Sequence, residues 1–302
     1  MMVLLALGVG RLLHEDEIMF LGQSSAADLD IFRVVLDRHL VLTIPKPSSP
    51  GSIITSSVWS PDGQHIAYVS QRIGEQHFQG SIFIADAAGS NPKTLIANLD
   101  CVSNLTWSPD RAQIAVISGC YPRSVLMTID VQQGKTNLLT NNVSENYVPQ
   151  WSPDGQKISF KYNDGNRNAT DVFNIEVQSG NITPLAMMWP SGSSPVASPD
   201  GRYVVYAHKL PSSSSKRSGI YVYDSADQRT TLLYDDENFI TSPIDWSSDS
   251  QFIVYTAGYL TQSDLFTLDI TPCLAQTTSC IPQRVIPVTG QYVDPHWRPR
   301  QP

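Results

Sequence analysis

The chain has 302 residues, 41% of them hydrophobic and 16% charged. That is enough apolar material for a sizeable core, with few of the charges that long surface helices use. Its 28 acidic and 20 basic residues leave a formal charge of −8, which disfavours binding along a phosphate backbone and sets nucleic acid aside as a partner.

The first stretch, MMVLLALGVGRLL (Met1–Leu13), is shorter than the roughly 20 residues of a spanning helix. No positive charge precedes it and no clear small-residue cleavage site follows. Residues 1–16 are therefore expected to form an apolar segment apart from the main domain. It reads as the end of a signal-anchor or export segment, or alternatively as a stretch packed on the domain. As an anchor it would be the only contact with a membrane and would place residues 17–302 outside the cytoplasm.

Three strand patterns follow: EIMFLGQSS from Glu17, LDIFRVVLD from Leu29 and HLVLTI from His39. Next comes VWSPDGQHIAYVS (Val58–Ser70), and this stretch recurs. LTWSPDRAQIAVIS begins at Leu105, PQWSPDGQKISFKY at Pro149, PVASPDGRYVVYAH at Pro195 and IDWSSDSQFIVYTA at Ile244, while PHWRPRQP begins at Pro295. The repeated position holds Trp59, Trp107, Trp151, Ala197, Trp246 and Trp297, at spacings of 48, 44, 46, 49 and 51 residues. Asp62, Asp110, Asp154, Asp200 and Asp249 follow three residues later. A period in the forties with several short alternating strands per unit is the signature of a β-propeller.

Each complete unit reads as four strands, so an all-β, six-bladed propeller of four-stranded antiparallel blades is expected. The blades fall near 53–98, 101–140, 147–187, 193–235 and 240–289, plus one assembled from 17–47 and 291–299. In that last blade the C-terminal strand YVDPHWRP joins the N-terminal three and closes the ring, which removes exposed sheet edges.

The Trp-turn has a scaffold explanation. Proline presets φ for the second position of a type I turn, Asp tolerates the third, and Gly accepts positive φ. Side chains of Ser60 or Asp62 can accept backbone N–H bonds there. Trp59 is expected to wedge against a neighbouring blade. Arg111 in place of Gly, Ser248 in place of Pro and Ala197 in place of Trp fit a scaffold better than a catalytic loop, and Arg298-Pro299-Arg300 reads as a degraded copy.

Four cysteines form two local pairs. With Pro109–Ala112 as a turn, Ser108 opposes Gln113 and Cys101 opposes Cys120, close enough to bridge. Cys273 and Cys280 bracket CLAQTTSC. Two disulfides would indicate an oxidising compartment, with buried free thiols as the alternative.

With W-S-P-D-G followed by an apolar strand, and D-[IL]-[FY] as in Asp30-Ile31-Phe32 and Asp264-Leu265-Phe266, the chain resembles the WD40-like PD40 repeat family of TolB-like six-bladed β-propellers. The resemblance spans nearly everything from Glu17 onward. It implies the propeller architecture but not one activity, because TolB-like proteins bind other proteins while related propellers cap peptidases or carry lyase sites. The match covers the repeat and not the separate α/β domain of TolB, so a role in a Tol system does not follow from it.

No G-x-S-x-G, H-E-x-x-H, P-loop or G-x-G-x-x-G motif is present, and the Trp-before-turn order does not fit a sialidase Asp box. The non-repeated residues on the inner strands are more informative. One residue before the Trp position lie Val58, Thr106, Gln150, Val196, Asp245 and His296; three before it lie Ser56, Asn104, Val148, Ser194, Pro243 and Asp294. Asp245, Asp294 and His296 fall on adjacent blades. A His between two carboxylates can hold a metal or act as acid and base, although a water-filled channel also requires polar walls. The loops Arg72–Gly80, Asn163–Asp171 and Lys209–Gly219 share one face. The oxygen-rich second loop could hold Ca²⁺ or be simply solvated; the third reads as an ordinary solvated loop or, with Lys209, Lys216 and Arg217, as a basic flap that recognises an acidic or peptide partner.

The expected function is a noncatalytic, extracytoplasmic, monomeric scaffold that needs no cofactor and holds a protein or peptide over the channel face. Its binding candidates are Asp245, Asp294, His296, Gln150, Asn104, Lys209, Lys216 and Arg217. A carbohydrate-active or other propeller enzyme with a channel-face site built on the Asp–His–Asp group, and a membrane-tethered sensor ectodomain, are the alternatives.

Overall fold

The computed structural model of the chain describes residues 16–23, 29–44, 52–72, 78–144, 147–162, 172–185, 195–209, 218–236, 240–259, 262–275, 280–287 and 290–300. The apolar segment Met1–Leu13, the loop Asn163–Asp171, and Lys216 and Arg217 lie outside them, and of Lys209 only the backbone is described.

The alternating segments form six four-stranded antiparallel sheets. Blade 1 contains β1 (Glu17–Gln23), β2 (Leu29–Val35) and β3 (Leu40–Thr43). Blade 2 runs through β4 (Ser52–Trp59), β5 (His65–Arg72), β6 (Gln79–Asp86) and β7 (Lys93–Asp100). Blade 3 comprises β8 (Ser103–Trp107), β9 (Gln113–Ser118), β10 (Val125–Asp130) and β11 (Thr136–Asn141). Blade 4 is β12 (Gln150–Trp151), β13 (Lys157–Phe160), β14 (Phe173–Glu176) and β15 (Ile182–Pro184). Blade 5 is β16 (Val196–Ala197), β17 (Tyr203–Lys209), β18 (Ser218–Asp224) and β19 (Arg229–Asp236). Blade 6 holds β20 (Ile240–Trp246), β21 (Phe252–Tyr259), β22 (Gln262–Asp269) and β23 (Gln283–Arg284), with a single helical turn, α1 (Thr271–Leu274), before β23. The final strand, β24 (Tyr292–Trp297), pairs with β1 and completes blade 1 in the order β24-β1-β2-β3. Among the described residues no helix is long and apolar enough to cross a membrane.

Why these segments stack follows from their period of two. In β1, Ile18 and Phe20 pack towards blade 6, beside Phe252 and Val254. Met19 and Leu21 pack towards blade 2, beside Ile54 and Tyr68. A strand apolar on both faces can only be satisfied between two sheets. The buried residues accordingly divide into one cluster per pair of neighbouring blades, and Trp59, Trp107, Trp151, Trp246 and Trp297 each sit in the cluster shared with the preceding blade. Between blades 4 and 5, where Ala197 takes the Trp position, Tyr147, Val172 and Tyr206 fill the cluster instead.

The repeated turn is a hydrogen-bonded corner. In the first copy Gly63 N–H donates to Ser60 O (2.8 Å), the Ser60 hydroxyl donates to Asp62 Oδ1 (2.6 Å), and that oxygen accepts Gln64 N–H (3.1 Å). Ser60 Oγ in turn accepts His65 N–H (2.9 Å). The serine–aspartate bond recurs at Ser108–Asp110, Ser152–Asp154, Ser198–Asp200 and Ser247–Asp249. The fifth residue of the turn is left-handed in all five copies: Gly63 (φ 64°), Arg111 (66°), Gly155 (68°), Gly201 (72°) and Ser250 (59°). The side-chain network, rather than the presence of glycine, thus sets the backbone there.

Both cysteine pairs are disulfides, Cys101–Cys120 with Cα atoms 5.1 Å apart and Cys273–Cys280 at 5.5 Å. The register expected for the first needs correction. Trp107 pairs with Ile114 and Thr106 with Ala115, but Ser103 pairs with Ile117, so β8 carries an extra residue. The extra residue falls at Asn104–Leu105, and Asn104 takes φ 54°, a left-handed conformation that asparagine tolerates. The bulge moves Cys101 one place out of direct opposition to Cys120, and Cys101 itself takes φ 42° where the bridge forms.

Candidate functional site

Each inner strand runs towards its Ser-Pro-Asp turn, so alternation sends the Trp into the inter-blade core and the residue before it into the channel. Val58, Thr106, Gln150, Val196, Asp245 and His296 all line one cavity of about 350 Å³ on the ring axis, together with Pro61, Pro109 and Pro299 from the turns. Two of the tryptophans hold this wall in place. Trp151 Nε1 donates to Thr106 O (3.3 Å) and Trp246 Nε1 to Val196 O (3.0 Å), each fixing the channel residue of the preceding blade. The side chains of Thr106 and Gln150 make no hydrogen bond among the described residues, which leaves their donors and acceptors for whatever enters.

The structure brings Asp245, His296 and Asp294 together. His296 Nε2 lies 3.2 Å from Asp294 Oδ1, and Nδ1 lies 3.5 Å from Asp245 Oδ2. Burial disfavours the charged imidazole, but the two carboxylates outweigh it and raise the group from 6.5 to about 10. At neutral pH the ring is an imidazolium, with no lone pair for a metal and no capacity to act as a base. The carboxylates have further partners. Asp245 Oδ2 accepts Trp297 N–H and Asp294 Oδ2 accepts Ser57 N–H, both at 2.9 Å, so the group ties β20 to β24 and β24 to β4. Among the described residues no group of three or more His, Cys, Asp or Glu side chains could hold a metal ion.

Of the remaining sequence-predicted residues, Gln150 lines the cavity while Asn104 and Asp294 do not. Asn104 serves the β8 bulge, and Asp294, at the equivalent position, is also left-handed (φ 54°). Lys216 and Arg217 lie outside the described residues, as does the side chain of Lys209.

Two residues that sequence reasoning read as a decayed turn have specific work at the seam. Arg298 Nη1 pairs with Glu17 (2.8 Å), its Nε donates to Gly63 O (3.0 Å), and its guanidinium covers the Trp59 ring. Arg300 pairs with Asp16, and its N–H donates to Ser248 Oγ (2.9 Å). The signal was available: arginines stood where every other copy has Ser and Asp.

A larger cavity of about 510 Å³ opens between the turns of blades 5 and 6. Its polar lining is largely committed to the fold. Arg202 is paired with Asp224 (2.8 Å), and Asp200 and Asp249 accept N–H bonds within their own turns. The smaller axial cavity is the better candidate because all six blades contribute non-repeated side chains to it.

A ring of six four-stranded sheets with a lined axial cavity is a six-bladed β-propeller. The TolB beta propeller domain family model matches residues 47–301, and the chain belongs to that family. It is 26% identical over 175 residues to "Uncharacterized peptidase YuxL" of Bacillus subtilis, covering 56% of this chain and 24% of that protein. It is 29% identical over 76 residues to "Tol-Pal system protein TolB" of Legionella pneumophila, covering 25% of this chain and 18% of that protein. The chain thus spans less than a third of these two curated relatives. The crystal structure of TolB from Acinetobacter baumannii superposes with a TM-score of 0.71 at 17% identity, over 94% of this chain and 67% of that one.

Proposed function

We propose that the protein is a noncatalytic, extracytoplasmic scaffold that holds a segment of a partner protein or peptide in the axial cavity. The observation that carries this reading is the contrast between a repeated scaffold and an unrepeated lining, with one different side chain delivered by nearly every blade and Thr106 and Gln150 uncommitted. A cavity of about 350 Å³ suits a few side chains of an extended segment and not a folded domain. Two disulfides support an oxidising compartment. The engagement of Asp245, Asp294 and His296 in bonds that tie blades 6, 1 and 2 together favours a structural role for them over the enzymatic alternative. In this reading the scaffold works as a monomer and without a cofactor.

Peptide display on the immobilised protein tests it. Enriched peptides are expected to lose about tenfold or more in affinity for a Thr106→Trp/Gln150→Trp variant, whose cavity is filled. Peptides that bind both proteins equally would contradict the reading. So would turnover of a glycoside or peptide substrate that is abolished by His296→Gln in a folded protein.

A further inference from the structure

The exposed aromatic side chains are not evenly spread. Leu40, Val41, Leu138, Ile182 and Leu232, the exposed large aliphatic residues of the strands, sit on the outermost strand of their blades. Phe78 (54% exposed) and Tyr121 (67% exposed) instead stand on loops at one corner of blades 2 and 3, at the blade ends opposite the Ser-Pro-Asp turns. Backbone bonds hold this corner together. Phe78 O accepts Cys101 N–H (2.7 Å), Cys101 is bridged to Cys120 beside Tyr121, and Gly119 N–H donates to Asp100 O (2.6 Å). Gly119 takes φ 92°, and a Cβ there would stand 2.7 Å from Arg123 O, so the loop passes close to itself where only glycine fits without strain. Two large rings are thus displayed on a cross-linked base, which lowers the ordering cost of a contact.

Among its described residues, the charge at this corner runs against that of the molecule. Arg72 ends β5 opposite Gln79, the neighbour of Phe78, and Arg123 closes the Cys120 turn through its N–H to Cys120 O (2.9 Å). Both arginines are exposed, and neither makes an ion pair among the described residues. Asp100, opposite Gln79, is the one carboxylate among the described residues that build this corner; Glu75, in the loop between Arg72 and Phe78, lies outside them. The described corner is therefore net positive on a chain of net charge −8.

We infer that this disulfide-based corner, Phe78 and Tyr121 flanked by Arg72 and Arg123, is a second docking surface, and that it takes an acidic segment of a partner protein carrying an aromatic or aliphatic anchor. Exposed apolar groups rimmed by charge mark contact sites on otherwise polar surfaces. The arginines would steer the acidic segment while the rings supply the buried contact. The surface is at the opposite end of the blades from the rim of the axial cavity and does not depend on that cavity being occupied.

Fluorescence anisotropy on the oxidised full chain tests the assignment with two labelled synthetic peptides. One has glutamates around a central Phe-Leu pair, and in the other every glutamate is lysine. The acidic peptide is expected to bind, to weaken as salt is raised, and to lose about tenfold or more with Phe78→Ser/Tyr121→Ser and with Arg72→Glu/Arg123→Glu. The Thr106→Trp/Gln150→Trp variant is expected to bind it unchanged, which separates this surface from the axial site. Equal binding of both peptides, no binding of the acidic one, or binding indifferent to the corner variants would overturn the inference. All four substituted side chains of the corner are exposed, so these variants are expected to retain the wild-type fold.

Discussion

The guanidinium of Arg298 lies 5.1 Å from the centre of the Trp59 ring, joining the last strand of blade 1 to the corner of blade 2. The same side chain bonds Glu17 within its own blade, while the Ser248 hydroxyl of blade 6 accepts the Arg300 backbone N–H. Closure of the ring therefore rests on side chains gripping both neighbours as well as on the β24–β1 ladder.

Replacing Arg298 with alanine removes a cation–π contact, an ion pair with a mostly buried carboxylate and a hydrogen bond to Gly63 O. The expected cost is about 1–3 kcal/mol in urea unfolding. Arg298→Lys should recover only part of it, because an ammonium cannot stack and bond in a fork at once. Equal stability of the alanine variant and the wild type would show that the seam does not need these contacts.

Gly63 and Gly201 occupy the same turn position but differ in surroundings. At Gly201 (φ 72°) a Cβ would meet nothing within 4 Å, whereas at Gly63 (φ 64°) it would stand 2.5 Å from Pro299 O. Gly201→Ala should cost about 1 kcal/mol, the left-handed penalty alone. Gly63→Ala should cost roughly 2 kcal/mol more, because the C-terminal strand must shift. Thermal denaturation of the two variants side by side is the check, and a reversed order would refute the described approach of β24.

The propeller was legible because its signal is repetition: six occupants of one position at spacings near 48, with alternating strands between them, leave little architectural choice. The axial lining was legible for the same reason, since counting one residue back from each Trp reaches Val58, Thr106, Gln150, Val196, Asp245 and His296. The chemistry of the lining was less so. Alternation places Asp245, Asp294 and His296 side by side, but it does not reveal that the carboxylates also accept Trp297 and Ser57 N–H. The Ser57 bond is made by an Asp294 in the left-handed region, which no period predicts. Asn104 misled for the same reason, because a bulge breaks the alternation on which its assignment to the channel rested.

The seam group also predicts how stability depends on pH. The folded-state value of His296, about 10, lies above its ordinary 6.5. Its contribution is therefore fully present below about 6.5 and is lost as pH rises through about 10. The stability difference between the wild type and His296→Gln, measured by urea unfolding, should be largest just below about pH 6.5, shrink steadily above it and be lost beyond about pH 10. Asp245 and Asp294 are the titratable groups facing the ring. A difference that is flat across this window would mean that the imidazole is neutral in the folded protein.

Asp62 gives the opposite sign at the acid end. Burial would raise its carboxyl, but bonds from Ser60, Gln64 N–H and Arg111 hold it down from 3.8 to about 2. Its contribution is present above about 3.8 and fades as pH falls through about 2. Arg111→Ala, which removes a half-exposed partner at 2.5 Å, should raise the NMR-titrated value of Asp62. The change in stability should be at most about 1 kcal/mol, since the Ser60 and Gln64 bonds remain. An unmoved Asp62 would show that the ion pair does not form in solution.

The most direct measurement of the central claim uses a small aliphatic diazirine photo-crosslinking amino acid, no bulkier than the glutamine it replaces, placed at Gln150 in the full chain, expressed in its native cells, with an identical probe at the exposed outer-strand residue Leu138 as control. Binding through the axial cavity predicts a discrete protein adduct from position 150 that is absent from position 138 and lost when Thr106→Trp narrows the cavity. Identical adduct patterns from the two positions, or a Gln150 adduct unchanged by Thr106→Trp, would contradict it.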